Sequence, residues 1–237
     1  MKKSEIREQI WKLLEERGVA RFPKPIKGRI PNFVGAEIAA AKLRQLEEYK
    51  RARVIFCNPD SPQRPVREFA LKDGKILVMA TPRLKKGFLL LDPRKIPSSA
   101  YSRASTIRGA FEYGKLVEPW RLLAINLKVM GSVAVSPEGG RLGKGHGYSD
   151  IEYVILREVG AISEETPLVT TVHDLQIVSI IPIQENDVPV DIIVTPSRVI
   201  RCPKRPRPKG VIWSMVSREM MEAIPVLKDL WKRAGSG

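Results

Sequence analysis

The sequence predicts an α/β fold, a parallel sheet covered by helices on both faces. Three observations point there. Short, continuous apolar runs alternate with segments of helical periodicity, as strands buried on both faces require. A glycine-rich turn joins strand-like runs to a helical segment. The 237 residues are 43% hydrophobic, enough to fill a sizeable core without staples.

The elements follow in order. Residues 4–17 read as an amphipathic helix, with Ser4 as N-cap, an apolar face of Ile6, Ile10, Trp11, Leu13 and Leu14, and Gly18 as its stop. Residues 21–31 are a proline-rich connector, and Asn32 is placed to cap a second helix over 35–50. Strands are expected at Arg53–Cys57, Lys75–Ala80 and Gly87–Leu91, with a loop at Ser61–Glu68 and a polar excursion at 92–119. Further strands are expected at Arg121–Leu127, Gly131–Val135, Leu168–Val172, Ile177–Ile181 and Asp191–Thr195. Tyr148–Val159 has helical periodicity, residues 201–210 form a basic, proline-broken loop, and a last helix covers 217–233. With no internal repeat, residues 1–237 read as a single domain, comprising an N-terminal helix and connector (1–50), the sheet, and a basic C-terminal loop plus helix (201–237).

Composition narrows the function. Forty-one Lys and Arg against 26 Asp and Glu give a net charge of +15, which attracts polyanions: nucleic acid, nucleotide phosphates, anionic lipid or a polyglutamylated ligand. No apolar run approaches the ~20 residues that span a bilayer, and the charged start has no apolar stretch of a secretory signal behind it. A cytoplasmic, non-membrane protein is therefore expected. Two cysteines, Cys57 and Cys202, make no disulfide framework and read as reduced thiols. Two cysteines and two histidines offer neither zinc-site spacing nor a Cys/His nucleophile pair.

The most informative stretch is Gly139–Asp150, with five glycines in its first nine residues. Such a run costs conformational entropy on ordering and suits backbone that approaches a ligand closely. At a helix N-terminus its N–H groups and the helix dipole make an anion site, to which Arg141 and Lys144 add cations; a nucleoside triphosphate fits this chemistry. No Gly-Lys-Ser or Gly-Lys-Thr closes the run, and glycines at alternate positions (Gly143, Gly145, Gly147) do not match the dinucleotide fingerprint. The alternative is a surface loop with incidental charges. A second stretch, Ile180–Asp191, sets acidic residues between two apolar runs; a carboxylate there, with Asp150, suits Mg²⁺, and the alternative is a solvated turn.

Together these segments resemble a known family. Arg141 to Asp150 resembles the nucleotide-binding signature Arg-x-Gly-x-Gly-x-Gly-Tyr-Tyr-Asp of the 5-formyltetrahydrofolate cyclo-ligases (methenyltetrahydrofolate synthetases). Pro182 to Asp191 resembles that family's second motif, and Lys3 with Arg7 its N-terminal basic pair. Phe22-Pro23 through Gly35-Ala36-Glu37 resembles the larger, domain-containing branch. The resemblance implies a fold like the NagB/ribose-5-phosphate isomerase/CoA-transferase group, a Rossmann-like layered sheet with helices on both faces. It also implies a ligase of one-carbon metabolism that converts 5-formyltetrahydrofolate and ATP to 5,10-methenyltetrahydrofolate, ADP and phosphate.

On that basis Lys3 and Arg7 contact the ATP phosphates, and Arg141, Leu142, Gly143, Lys144, Gly145, His146, Gly147, Tyr148 and Ser149 wrap the triphosphate. Asp150 and Asp187 hold Mg²⁺. Arg7 and Lys144 to Tyr148 border the folate, with Arg141, Lys144 and Tyr148 nearest the chemistry. Three departures stand out. Ser149 replaces the second tyrosine, His146 puts a titratable group where many members carry a cation, and only Asp60 can stand in for the folate-site acid.

The charge and the 201–210 loop also suit a nucleic-acid-binding protein, although no RNA or DNA module is visible. A relative that binds ATP but acts on another substrate, and an inactive scaffold that keeps the fold, are further readings. His173 reads as a structural histidine, Arg83, Lys85 and Lys86 as a solvated turn, and Trp11, Trp120, Trp213 and Trp231 as scattered core or boundary residues.

Overall fold

The computed structural model describes residues 1–234. Helix α1 (Lys3–Glu16) comes first, followed by the paired short strands β1 (Ala20–Arg21) and β2 (Asn32–Phe33). Then come α2 (Ala36–Arg44), α3 (Glu47–Arg51), β3 (Val54–Cys57), α4 (Arg64–Lys72), β4 (Ile76–Ala80) and β5 (Phe88–Leu91). Next are α5 (Tyr101–Ala104), α6 (Ile107–Tyr113), β6 (Lys115–Val117), β7 (Leu127–Met130), β8 (Ala134–Val135), β9 (Arg141–Leu142) and α7 (Tyr148–Glu158). The chain closes with β10 (Leu168–Thr171), β11 (Ile192–Val194), β12 (Val199–Arg201), α8 (Arg218–Ala223) and α9 (Pro225–Ala234).

Eight strands form one sheet in the order β12-β11-β10-β7-β3-β4-β5-β6. The five central strands are parallel, whereas β12, β5 and β6 run antiparallel to their inner neighbours. The two-residue side-chain period of a strand splits the core into two layers. Ile55 and Cys57 of β3 and Val129 of β7 face α2, α4, α5 and α6. Val54 and Phe56, with Met130, face α7 and α9 through Tyr153, Leu156, Leu227 and Leu230. A third apolar cluster carries the N-terminus. Ile6, Ile10, Trp11 and Leu14 of α1 pack with Ala134 and Leu142 of the β8–β9 hairpin and with Ile181. Trp11 Nε1 also donates to Arg29 O at 3.0 Å. This packing brings the start of the chain against the glycine-rich segment.

Several sequence expectations are corrected. The sheet is mixed rather than parallel: an apolar run does not encode strand direction, β5 and β12 return by short connections, and β6 returns after α5 and α6. Ser61–Glu68 is not a loop: a 3₁₀ turn (Ser61–Gln63) leads into α4, and Pro65 sits in the first turn, where its missing N–H costs nothing. Residues 92–119 contain α5, α6 (capped by Thr106 Oγ1, which accepts from Gly109 N) and the edge strand β6. The strand expected from Arg121 begins only at Leu127, because Asn126 Oδ1 accepts from Arg53 N and Val54 N and anchors the approach. Within 131–135 only β8 is extended, and it pairs with β9 outside the main sheet. Ile177–Ile181 makes a single bridge to Val135 and is no sheet strand; Ile181 is buried under α1 instead. Ser4 is inside α1, whose free end is tied by Lys2 N donating to Glu5 Oε2. Asn32 lies in β2 and donates to Phe22 O, and the helix expected over 35–50 is two helices. Pro225 breaks the C-terminal helix into α8 and α9.

Cys57 is fully buried, and that burial pushes its thiol up to about 12, outweighing the opposing pull of Arg67; it stays protonated and inert. Asp73 illustrates the opposite balance. Burial raises its pKa, but hydrogen bonds from Arg44 (2.5 and 2.8 Å) and Tyr49 (2.7 Å) outweigh this and hold it below the usual carboxylate range. A depressed acid contributes stability above the unfolded pKa of about 3.9 and loses it as pH falls through the folded value. Asp73→Asn is therefore expected to lower the thermal midpoint at neutral pH and to flatten its acid-side decline, read by melting curves from about pH 2 to 7.

Candidate active site

The C-terminal ends of β3, β4 and β7 open onto a cleft of about 380 Å³, the usual place for a ligand in an open α/β sheet. Most of its lining comes from the connector around Gly28–Ile30, the 58–61 turn, the 81–84 turn and the glycine-rich segment, with Ile107 and Gly131 adding to it.

The β8–β9 hairpin fixes where the glycine-rich segment begins. Arg141, on β9, has a buried side chain whose guanidinium donates to Gly131 O (3.0 Å), Val188 O (3.4 Å) and Asp150 Oδ1 (2.6 Å). The backbone then turns sharply into α7. Gly147, the residue before the helix, has φ 69°, and Gly145 has φ 105° with the Arg7 guanidinium 3.6 Å from where a Cβ would sit. A side chain at 145 would be strained and would crowd that cation. The N-terminus of α7, Gly147 to Asp150, therefore lines the cleft beside Lys144 and His146.

α1 brings in two more cations. Arg7 Nε donates to Gly143 O at 2.7 Å, and Lys3 Nζ lies 2.5 Å from Asp187 Oδ2 and 3.2 Å from Gln184 Oε1. Lys3, Arg7, Arg141, Lys144, Asp150 and Asp187, drawn from three distant stretches of sequence, thus lie in one connected assembly. The hydrogen bonds to Asp150 all reach Oδ1, from Arg141 and from Val188 N, and those to Asp187 reach Oδ2. Among the described residues no cluster of three or more His, Cys, Asp or Glu could hold a metal by itself. Two carboxylates with one uncommitted oxygen each nevertheless fit Mg²⁺, which keeps waters and takes phosphate oxygens from its nucleotide.

Asp60 reaches the cleft from the 58–61 turn, 3.7 Å from Lys144 Nζ. Burial pushes its carboxyl above the ordinary range, with Lys144, Arg67 and Arg141 opposing. Ser149 Oγ donates to Asn58 Oδ1 at 3.3 Å, and the His146 and Tyr148 rings lie 6.3 Å apart.

Three features escaped the sequence reading. Beneath the cleft, Lys128 of β7 forms a buried ion pair with Glu152 of α7, and Asn58 Nδ2 donates to both Glu152 oxygens (2.8 and 3.0 Å). Lys128 Nζ also sits 3.9 Å over the Phe56 ring. Burial lowers the Lys128 pKa and raises that of Glu152, each opposing the charge its partner favours. The signal was a lone charge inside an apolar strand run and another on the buried face of a helix. Second, the buried Arg67 donates to Asn58 O (2.6 Å) and Asp60 O (2.9 Å), which fixes the turn that presents Asp60. Third, Arg83 and Leu84 adopt φ 54° and 55° at the cleft rim, a left-handed conformation that non-glycine residues rarely take, so this turn is more than solvated surface.

Other residues lie elsewhere. His173 Nδ1 accepts from Leu175 N at 3.1 Å and its ring packs on Phe33, a structural role. Four cations of the 201–210 loop are engaged: Arg201 with Glu48, Lys204 with Glu165, Arg205 with Glu138 and Arg207 with Asp191. No helix among the described residues is long and apolar enough to cross a membrane.

The family model described as the 5-formyltetrahydrofolate cyclo-ligase family matches residues 1–196. Methenyltetrahydrofolate synthase domain-containing protein from Bos taurus is 42% identical over 234 residues, covering 96% of this chain and 61% of the relative. Its Homo sapiens counterpart is 41% identical over 237 residues, covering 98% and 62%. The chain thus spans about three fifths of the length of these relatives. Among solved structures, Aquifex aeolicus 5,10-methenyltetrahydrofolate synthetase matches with a TM-score of 0.54 at 22% identity, covering 90% of this chain and 98% of that one, a likeness of fold.

Proposed function

The chain belongs to the 5-formyltetrahydrofolate cyclo-ligase family, and from that premise we propose that it closes 5-formyltetrahydrofolate to 5,10-methenyltetrahydrofolate at the expense of ATP. The observation that carries the reading is the meeting of Lys3, Arg7, Arg141 and the α7 N-terminus beside Asp150 and Asp187, at the edge of a cleft that also holds an acid, Asp60.

The reaction runs in two displacements. The formyl oxygen attacks the γ-phosphorus, forming an O–P bond as the bond to the ADP oxygen breaks. N10 then attacks the formyl carbon, the C–N bond forms, and phosphate departs with the formyl oxygen and the N10 proton. Neither step needs a protein nucleophile, in keeping with a site built from cations and backbone donors. Phosphoryl transfer asks for positioning and charge neutralisation. Lys3, Arg7 and the glycine-loop N–H groups bind the phosphates. Arg141 holds Asp150 in place and Lys144 balances charge at the reacting end. Asp150 and Asp187 would hold Mg²⁺, which would supply further neutralisation of charge. Tyr148 and His146 border the folate, and Asp60 accepts hydrogen bonds from the pterin edge. Its raised pKa still leaves a carboxyl oxygen to accept, aided by Lys144.

Asp60→Asn is expected to raise KM for the folate by about tenfold or more while KM for ATP holds within about twofold, checked by steady-state kinetics with each substrate varied.

We also read residues 1–237 as a single cytoplasmic domain. The reading is tested by following methenyltetrahydrofolate through its near-ultraviolet absorbance with Mg-ATP present. Product that disappears with chelator and persists at moderate salt supports it. No product, with RNA retention that falls steeply as salt rises, favours a nucleic-acid-binding role for the +15 chain.

A further inference from the structure

The Asp60 cleft is lined by the permanent cations Arg29, Arg83, Arg141 and Lys144. Two of them face acids, Arg141 with Asp150 and Lys144 with Asp60. The other two do not. Among the described residues the Arg83 side chain has no hydrogen bond or ion pair, and Arg29 uses only Nε, which donates to Pro25 O at 3.0 Å. Both side chains are exposed. The same lining carries apolar surface from Ile30, Pro82, Leu84 and Ile107. The cleft thus combines an acid, apolar walls and two unspent cations at its rim.

Arg83 is held there against its backbone preference. It and Leu84 take φ 54° and 55°, where an L side chain crowds its own backbone. Hydrogen bonds lock the turn in this form. Leu84 N donates to Thr81 O at 2.8 Å, Lys86 N donates to Thr81 Oγ1 at 3.0 Å, and Thr81 Oγ1 donates to Gly87 O at 3.0 Å. Leu84 offsets its strain by burying its side chain in the layer that α7 covers. Arg83 gains no such contact, and glycine would take its place without strain. A strained, unpartnered cation at the rim of a cleft points to a ligand from outside the chain.

5-Formyltetrahydrofolate is a pterin joined through an aminobenzoyl ring to glutamate, so it carries two carboxylates at the end remote from the chemistry. We propose that Arg83, assisted by Arg29, receives the glutamate carboxylates of the substrate and makes the cleft selective for a folate with an acidic tail. The inference rests on the cyclo-ligase reading and extends it from the reacting end of the folate to the other. The apolar lining suits the aminobenzoyl ring, and a guanidinium can grip a carboxylate with two parallel, charge-assisted hydrogen bonds.

The test is titration calorimetry on the full chain with two ligands. One is 5-formyltetrahydrofolate; the other is its bis-amide, in which both glutamate carboxylates are carboxamides of the same size. Wild type is expected to bind the acid at least about tenfold more tightly than the bis-amide. Arg83→Gly is expected to cut that preference to about threefold or less, to leave bis-amide affinity within about twofold, and to melt no lower than wild type because the strain is relieved. Arg83→Lys, which restores the charge, is expected to recover part of the preference. A wild type that binds the two ligands equally, or an Arg83→Gly variant that keeps the full preference, would overturn the inference while sparing the cyclo-ligase reading. So would a preference lost in Arg83→Gly together with a lower melting point and no recovery in Arg83→Lys, since Arg83 would then serve the turn alone. A wild type that binds neither ligand would overturn the cyclo-ligase reading and this inference with it.

Discussion

Asp150→Asn is expected to lower kcat by about 100-fold or more while the chain stays folded, a loss typical of removing one charge-stabilising group from a site of this kind. Asp150 has two partners in the protein, Arg141 and Val188 N, both on Oδ1. Asparagine retains an oxygen for them but forfeits the negative charge and the second oxygen that Mg²⁺ needs. Asp150→Ala removes the acceptor as well, leaving the buried Arg141 guanidinium with only carbonyl partners. A stranded buried charge costs about 3–5 kcal/mol, so the alanine variant is expected to melt well below the asparagine variant though both are inactive. Kinetics and thermal melts on the pair separate the catalytic loss from the structural one. Equal activity in Asp150→Asn and wild type would remove Asp150 from the metal site.

The second large effect concerns stability. Glu152→Ala strands Lys128, which is fully buried between α7 and the Phe56 ring, and leaves Asn58 Nδ2 without its acceptor. The expected cost is about 3–5 kcal/mol. For a chain of this size each kcal/mol moves the melting point by about 2–4 °C, so the midpoint should fall by roughly 6–20 °C. Replacing both partners, Lys128→Met with Glu152→Leu, is expected to recover most of that loss, because the buried charge goes with its partner. The double variant should still bind nucleotide more weakly. Glu152 orients Asn58, and Asn58 Oδ1 accepts from both Ser149 Oγ and Gly131 N beneath the phosphate loop. A single variant as stable as wild type would show that the pair is unpaired or solvated in solution.

What was legible in the sequence follows from which physics is local. Apolar runs such as those ending at Cys57 and Ala80 announce buried strands, and the glycines before Tyr148 announce a turn into a helix. Both signals depend on near neighbours only. Strand direction is not local, so the antiparallel strands β5, β6 and β12 were invisible as such. Prolines 62 and 65 obscured α4, because proline looks like a breaker until the first turn of the helix is known. The run Ile177–Ile181 is apolar for a reason other than sheet formation: Val178 and Ile181 pack in the cluster beneath α1, and Ile177 joins the layer under α7. In the site, motif resemblance drew Lys3, Arg7, Asp150 and Asp187 together across more than a hundred residues. It gave no hint that each carboxylate is already held by a cation from another element, Arg141 on one and Lys3 on the other. The Lys128–Glu152 pair and the strained Arg83 turn belong to tertiary structure alone.

The most direct measurement follows a single atom. 5-Formyltetrahydrofolate carrying ¹⁸O in its formyl group is incubated with the protein and Mg-ATP, and the phosphate released is analysed by mass. If the formyl oxygen attacks the γ-phosphorus, each phosphate formed carries one ¹⁸O, in step with methenyltetrahydrofolate. Methenyltetrahydrofolate formed with unlabelled phosphate, or phosphate released without any ring closure, would contradict the proposed chemistry.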